Sequence, residues 1–210
     1  LLRMPGCMFF KLNLNIRIMN ITIREAEPRD AKQIARIITM AFHQDLCENM
    51  SGGNGIDVIF DLMQRLALRE DSQYSYRNTL VCEVDGNVAG GACGYDGKDL
   101  KRLREALFAD LREHGLPVPD GLTEETEEGE FYIDSLAVFP EYRGHGIASE
   151  LIGAMVRRAA ERGIRATGLL VDTDNPLAER LYLRLGFERV GVKPFLGHTM
   201  YHMQKTTKGV

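Results

Sequence analysis

The stretch Phe131-Tyr-Ile-Asp-Ser-Leu-Ala-Val138, continued by Pro140-Glu-Tyr-Arg-Gly-His-Gly-Ile-Ala148, decides how the rest of the chain is read. Its first half is an apolar, strand-like run, and its second half is a turn bearing an arginine and two glycines. Beyond Gly146 the apolar residues Ile147, Leu151, Ile152, Met155, Val156, Ala159 and Ala160 recur at helical spacing. Glu150, Arg157, Arg158, Glu161 and Arg162 hold the other face. A second apolar run at 166–171 and a short helix ending at Leu185-Gly-Phe187 follow. Strand, helix and strand in that order make a parallel unit with a right-handed crossover.

Working outward, Ile21-Thr-Ile-Arg24 alternates as a short strand should, and Pro28-Arg-Asp30 opens a helix with Ile34, Ile37, Ile38, Ala41 and Phe42 on one face. Residues 43–56, ending in Ser51-Gly-Gly-Asn-Gly55, read as a flexible loop. A second helix over 57–69 groups Ile59, Leu62, Met63 and Leu66. Residues 79–84 and 88–93 flank Asp85-Gly86-Asn87, a strong hairpin turn. Residues 98–114 predict a charged helix with Leu100, Leu103, Leu107 and Leu111 inward. The acidic, proline-bearing segment 117–128 reads as a solvated loop, with an electrostatic lure for a cationic amine as the sharper alternative. The last helix has matched ends: Asn175 at the N-cap, Pro176 in the first turn and Gly186 at the stop. Segments 188–192 and 199–204 predict an antiparallel pair closing the sheet.

The 210 residues suffice for one well-buried domain and are short for two. A net charge of −4 without a basic block speaks against nucleic acid as a partner. No run approaches the roughly 18 apolar residues that span a bilayer, so neither a membrane partner nor a location other than the cytoplasm is expected. Cys7, Cys47, Cys82 and Cys93 form no CxxC pair and read as reduced thiols. No HExxH spacing occurs, and His198 and His202 are four apart in a strand-like context; no metal is expected. Residues 1–19 read as a leader or added extension, not a signal peptide, since Lys11 breaks the apolar run. The domain is expected over 20–205, with a helical insert at about 98–128 and a tail at 206–210.

The central turn is suited to an anion. Gly144 and Gly146 let the backbone approach a ligand, and the first amides of the following helix lack internal partners. A pyrophosphate there would satisfy several donors, with Arg143 supplying charge. The P-loop pattern GxxxxGK[ST] is absent. Gly144-x-Gly146 begins a dinucleotide fingerprint, and Asp172 ends the next strand like a ribose-binding acid. The third glycine position, however, is Ser149, and too little chain remains for the second half of such a sheet.

Arg143-x-x-Gly146-x-Ala148 resembles the [QR]-x-x-G-x-[GA] signature of the GNAT superfamily of acyl-CoA N-acyltransferases. Asn175-Pro-Leu-Ala178-x-x-Leu181-Tyr182-x-x-Leu185-Gly186-Phe187 is similar to that superfamily's second hallmark. The resemblance covers about 20–204, with the insert its least typical part. It implies an α/β (mixed α+β) GNAT fold: a mostly antiparallel sheet with one splayed parallel strand pair and helices on both faces. It also implies acetyl-CoA as acyl donor, an amine acceptor, direct attack in a ternary complex and a possible homodimer.

By the same resemblance the pyrophosphate would sit on Arg143, Gly144, His145, Gly146, Ile147, Ala148 and Ser149. The pantetheine arm would run along Leu136, Ala137 and Val138, and Asn175 would also touch the coenzyme. Tyr182 would lie at the coenzyme and protonate the leaving thiolate. Glu130, thirteen residues before Arg143, stands where some members carry a base, and Asp134 is the second candidate. An amide near Leu136 would serve the oxyanion. The acceptor site would be lined by residues 43–57 and the loop near 193–198, which carry His43, Asp45, Glu48, Phe195 and His198. The alternative reading is a non-catalytic acyl-CoA-binding or sensing module with the same fold.

Overall fold

The computed structural model describes residues 19–119 and 122–207, so the expectation for the leader and the end of the tail lies outside the described residues. Seven strands form one sheet: β1 Ile21–Glu25, β2 Thr79–Val84, β3 Asn87–Asp96, β4 Glu130–Val138, β5 Ala166–Asp172, β6 Glu188–Phe195 and β7 His198–Thr206. Their order is β1-β2-β3-β4-β5-β7-β6, which puts β4 in the middle. Only β4 and β5 pair parallel; every other pairing is antiparallel. The expected mixed fold is what forms.

The helices are α1 Ala31–Ala41, α2 Gln44–Ser51, α3 Ile56–Leu68, α4 Leu100–Glu113, α5 Ile147–Glu161 and α6 Pro176–Arg184. The apolar stripes select their faces. Ile34 and Ile38 of α1, Ile59, Leu62, Met63 and Leu66 of α3, and Leu107 and Leu111 of α4 form one core. Leu151, Ile152 and Met155 of α5 pack with Leu169 and Val171 of β5 in another, joined by Leu181 and Tyr182 of α6. Each fully buried aliphatic side chain contributes about 1.5–3 kcal/mol of transfer free energy.

Three local expectations change. Residues 43–56 are not all loop: α2 places Cys47 and Met50 inward and ends at Gly52 with φ +60°. The expected loop at 193–198 is a tight hairpin whose turn is only Leu196-Gly197, with φ of +50° and +85°. It repeats the backbone of Asp85-Gly86, at +50° and +82°, with a leucine where the sequence signal calls for Asn or Asp. Third, the acidic segment is not uniformly solvated, because Glu125 and Thr126 are buried. Cys47, Cys82 and Cys93 are free and buried, as expected of reduced thiols.

Two features of β4 position the site. Its pairing with β5 covers only Glu130, Tyr132 and the residue between them, against Ala166 to Gly168, so the strands part beyond Tyr132. On its other edge the register to β3 skips Asp134: Gly94 opposes Ile133 and Cys93 opposes Ser135. That β-bulge exchanges the faces of the strand. Phe131 and Ile133 lie against α5, whereas beyond the bulge Ala137 packs against Ile37 of α1.

Glu130 is 1% exposed, and the strand next to it accommodates it through a glycine. A Cβ on Gly168 would lie 1.9 Å from Glu130 Oε2. Gly168→Ala is expected to destabilise the fold by about 1–3 kcal/mol, the range for overpacking a filled core. A denaturant melt with unchanged slope and a lower midpoint would register it.

Candidate functional site

The loop between β4 and α5 is held by Tyr142 N–H donating to the Phe139 carbonyl (2.9 Å) and Arg143 N–H to that of Pro140 (3.3 Å). Gly144 and Gly146 take φ of +82° and +79°, conformations that favour glycine. Among the described residues, the amides of 144–148 have no protein acceptor, and they sit at the N-terminus of a fifteen-residue helix. Unpaired donors and the positive end of the helix dipole coincide there. Arg143 donates from Nε to the Val138 carbonyl (3.1 Å), and His145 Nδ1 lies 3.2 Å from the Tyr142 carbonyl. Ile147 is buried in the α5 core, whereas Ala148 and Ser149 are half-buried. The groove between β4 and β5 leads to this loop, with Leu136, Ala137 and Val138 on its β4 side.

Across the groove, Asn175 caps α6 by accepting from the Ala178 amide (3.2 Å). Tyr182 of α6 packs in the cluster that holds Leu136 and Val138, its ring 6.0 Å from that of Phe187. Its hydroxyl has no protein partner among the described residues, and burial pushes its phenol up to about 12. The proton stays on this oxygen at neutral pH.

On the other face a cavity of about 130 Å³ opens. Asp134 and Ser135, consecutive because of the bulge, both line it, with Tyr132, Gln73, Arg104 and Glu125. Asp134 accepts from Tyr95 Oη (2.7 Å), Ser135 Oγ (2.9 Å) and Gln73 Nε2 (3.2 Å). Burial raises its carboxyl above the usual range, and these donors only partly offset that.

Glu130 is placed differently from its sequence expectation. It does not line the cavity, and both its oxygens are engaged, by Thr126 Oγ1 (2.6 Å), His202 Nε2 (2.9 Å) and Gln204 Nε2 (2.7 Å). Burial would raise its carboxyl, but the hydrogen bonds from His202, Thr126 and Gln204 outweigh that and hold it below its ordinary value. Such a group binds the strands together and has no free lone pair aimed at a ligand.

The insert builds part of the wall. Arg104 and Leu107 of α4 line the cavity with Pro119, Leu122 and Glu125. Arg104 and Glu125 form a buried ion pair. Burial raises the Glu125 carboxyl and Arg104 pulls it back in part. Arg104→Met is expected to cost about 3–5 kcal/mol, because it strands the Glu125 charge, and adding Glu125→Leu is expected to recover most of it. Urea unfolding of both variants checks this.

At the mouth, His43, Phe195 and His198 line the cavity as expected, whereas Glu48 accepts from Gln44 (2.8 Å) on α2. The His43 and His198 rings stack at 4.1 Å. Asp172 Oδ2 lies 3.3 Å from His43 Nε2 and 3.1 Å from His198 Nδ1, and His198 Nε2 lies 3.0 Å from Asp45 Oδ2. Carboxylates on both ring nitrogens, Asp45 foremost, raise the His198 pKa. The three donor atoms of His43, Asp172 and His198 lie within 4.8 Å of one another and could hold a divalent ion, although their mutual hydrogen bonds already account for their places. This cluster is invisible in the sequence, where His43 stands more than a hundred residues before Asp172 and His198. Gln73, in the segment between α3 and β2, was likewise unmarked.

The acetyltransferase (GNAT) family model matches residues 41–187. An acetyltransferase of Agrobacterium fabrum is 37% identical over 97 residues, covering 44% of this chain and 69% of that protein. A longer Mycobacterium leprae protein is 42% identical over 65 residues, or 31% of this chain, and the chain spans only 17% of its length. A crystal structure of an acetyltransferase is 35% identical with a TM-score of 0.77, covering 89% of this chain and all of that one. An N-acetyltransferase from Staphylococcus aureus is 25% identical with a TM-score of 0.74, covering 88% and 100%. The matched span takes in the parted strands, the loop of unpaired amides and the helix of Tyr182, and on that ground the chain belongs to the GNAT acetyltransferase family.

Proposed function

We propose that the protein transfers an acetyl group from acetyl-CoA to a primary amine by direct attack in a ternary complex. The observation that carries this reading is the groove beyond Tyr132. One end opens onto the unpaired amides of 144–148, and Asp134 stands at the other, two residues past the last β4–β5 pair. An extended pantetheine arm fits such an edge by adding hydrogen bonds to the strand at Leu136 to Val138. The pyrophosphate would take the amides of 144–148, with Arg143 and Asn175 beside it, whereas the Ser149 amide is spent on the Gly146 carbonyl (2.9 Å).

Asp134, not Glu130, is assigned as base, because it reaches the cavity and burial raises its carboxyl, which makes it the better proton acceptor of the two. It takes the proton of the incoming ammonium. The freed lone pair attacks the thioester carbon, the oxyanion is held by an amide of the open edge near Leu136, and collapse breaks the carbon–sulfur bond. Tyr182 gives its proton to the departing thiolate, and the second proton shed by the acylated nitrogen restores the phenol, leaving one proton on Asp134 to pass to solvent. One carbon–nitrogen bond forms, one carbon–sulfur bond breaks, and nothing is oxidised.

The test is thiol release from acetyl-CoA against a panel of amines, with binding of acetyl-CoA followed separately by thermal shift. Amine-dependent release is expected. Binding without release by any acceptor would instead favour the sensing module, and no binding would overturn the coenzyme assignment.

A further inference from the structure

Gln73 is 2% exposed, lines the cavity, and has an Oε1 with no hydrogen-bond partner among the described residues. The orientation of its carboxamide is fixed by chemistry. Asp134 only accepts when ionised, so Nε2 must face it, at 3.2 Å, and Oε1 must point elsewhere. A buried amide oxygen left unpaired costs about 1–3 kcal/mol, and here a residue that lines the cavity beside a carboxylate carries an acceptor without a donor.

The other charges of the cavity narrow the donor. Arg104 is committed to Glu125, and His43 and His198 to Asp172 and Asp45. Among the described lining residues no cation is left to receive an anion. The lining also has an apolar share, with Phe42, Leu46, Leu107 and Phe195 in it. A volume of about 130 Å³ is close to the roughly 150 Å³ of an apolar cavity that takes benzene, so the occupant is small.

We infer that Gln73 and Asp134 together form an ammonium cradle, and that the acceptor is a small primary amine with an apolar body and no carboxylate. This rests on the acetyltransferase reading for its chemistry, but the cradle itself is a binding site. Gln73 Oε1 accepts one ammonium hydrogen, Asp134 accepts another, and the apolar share of the lining receives the carbon skeleton. An α-carboxylate in the same place would be buried with no partner.

The probe is phenethylamine, compared with phenylalanine, which adds a carboxylate to the same body. The wild-type enzyme is expected to prefer phenethylamine by about a hundredfold or more in kcat/KM. Gln73→Leu is expected to raise KM for the amine about tenfold or more while acetyl-CoA binding stays as it was. Equal use of phenylalanine, or an unchanged amine KM in Gln73→Leu, would overturn the cradle. Phenethylamine binding to the enzyme with coenzyme A, followed by calorimetry, separates the two readings. Gln73-dependent binding without turnover keeps the cradle and fails the transferase; turnover of other acceptors with no phenethylamine binding does the reverse. Should Gln73→Leu not fold, the wild-type amine and amino-acid comparison decides alone.

Discussion

Asp134→Asn is expected to lower kcat by about a hundred- to ten-thousandfold, the range a positioned general base contributes. The pH dependence carries the sharper evidence. Asp134 is raised above the ordinary carboxylate range by burial, so in the wild-type enzyme kcat/KM falls as pH drops through that raised value. In Asp134→Asn that limb vanishes, leaving only the titration of the acceptor amine. Glu130→Gln is expected to keep the limb, because its carboxylate is spent on Thr126, His202 and Gln204. Its signature lies in stability. A carboxyl held below its ordinary value stabilises fully above that value and loses its contribution as pH falls through the lowered one. Wild-type protein should therefore lose an acid-sensitive part of its stability that Glu130→Gln lacks, and loss of the rate limb in Glu130→Gln would reverse the two assignments.

Tyr182→Phe is expected to reduce kcat by about ten- to a thousandfold with acetyl-CoA affinity little changed. The hydroxyl has no partner among the described residues, so its removal disturbs no hydrogen bond there, and the ring keeps its packing in the cluster with Phe187. A phenol near 12 is a proton donor at neutral pH and not a base. A variant whose kcat equals that of the wild type would take Tyr182 out of the acid role.

Legibility followed the range of the interactions. The ends of α6, the Asp85-Gly86 turn and the buried faces of α3 and α4 were readable because caps, turns and helical periodicity are written over a few neighbouring residues. The eight residues of α2 were not: its apolar positions are few, and the glycines after it dominate the local signal. The hairpin at 196–197 was hidden by a leucine in a left-handed turn. Glu125 looked solvated in a run of acids because its partner, Arg104, lies twenty-one residues upstream. The contrast between Glu130 and Asp134 was hidden for the same kind of reason, since Gln204, Gln73 and Tyr95 all reach them from distant segments.

The bulge at Asp134 makes β4 resemble a message read in two frames. Upstream of it one parity of positions faces the α5 core, and downstream the other parity does. The change of frame rests on the single β4 residue that β3 does not match. Removing Asp134 would restore simple alternation and leave Leu136 and Val138 on the α5 face, so the fold would keep its core while the cavity lost its carboxylate. An inserted residue in this segment would instead turn Leu136 and Val138 away from the α5 core, and insertions should be scarcer in any library selected for folding than loss of the one extra residue.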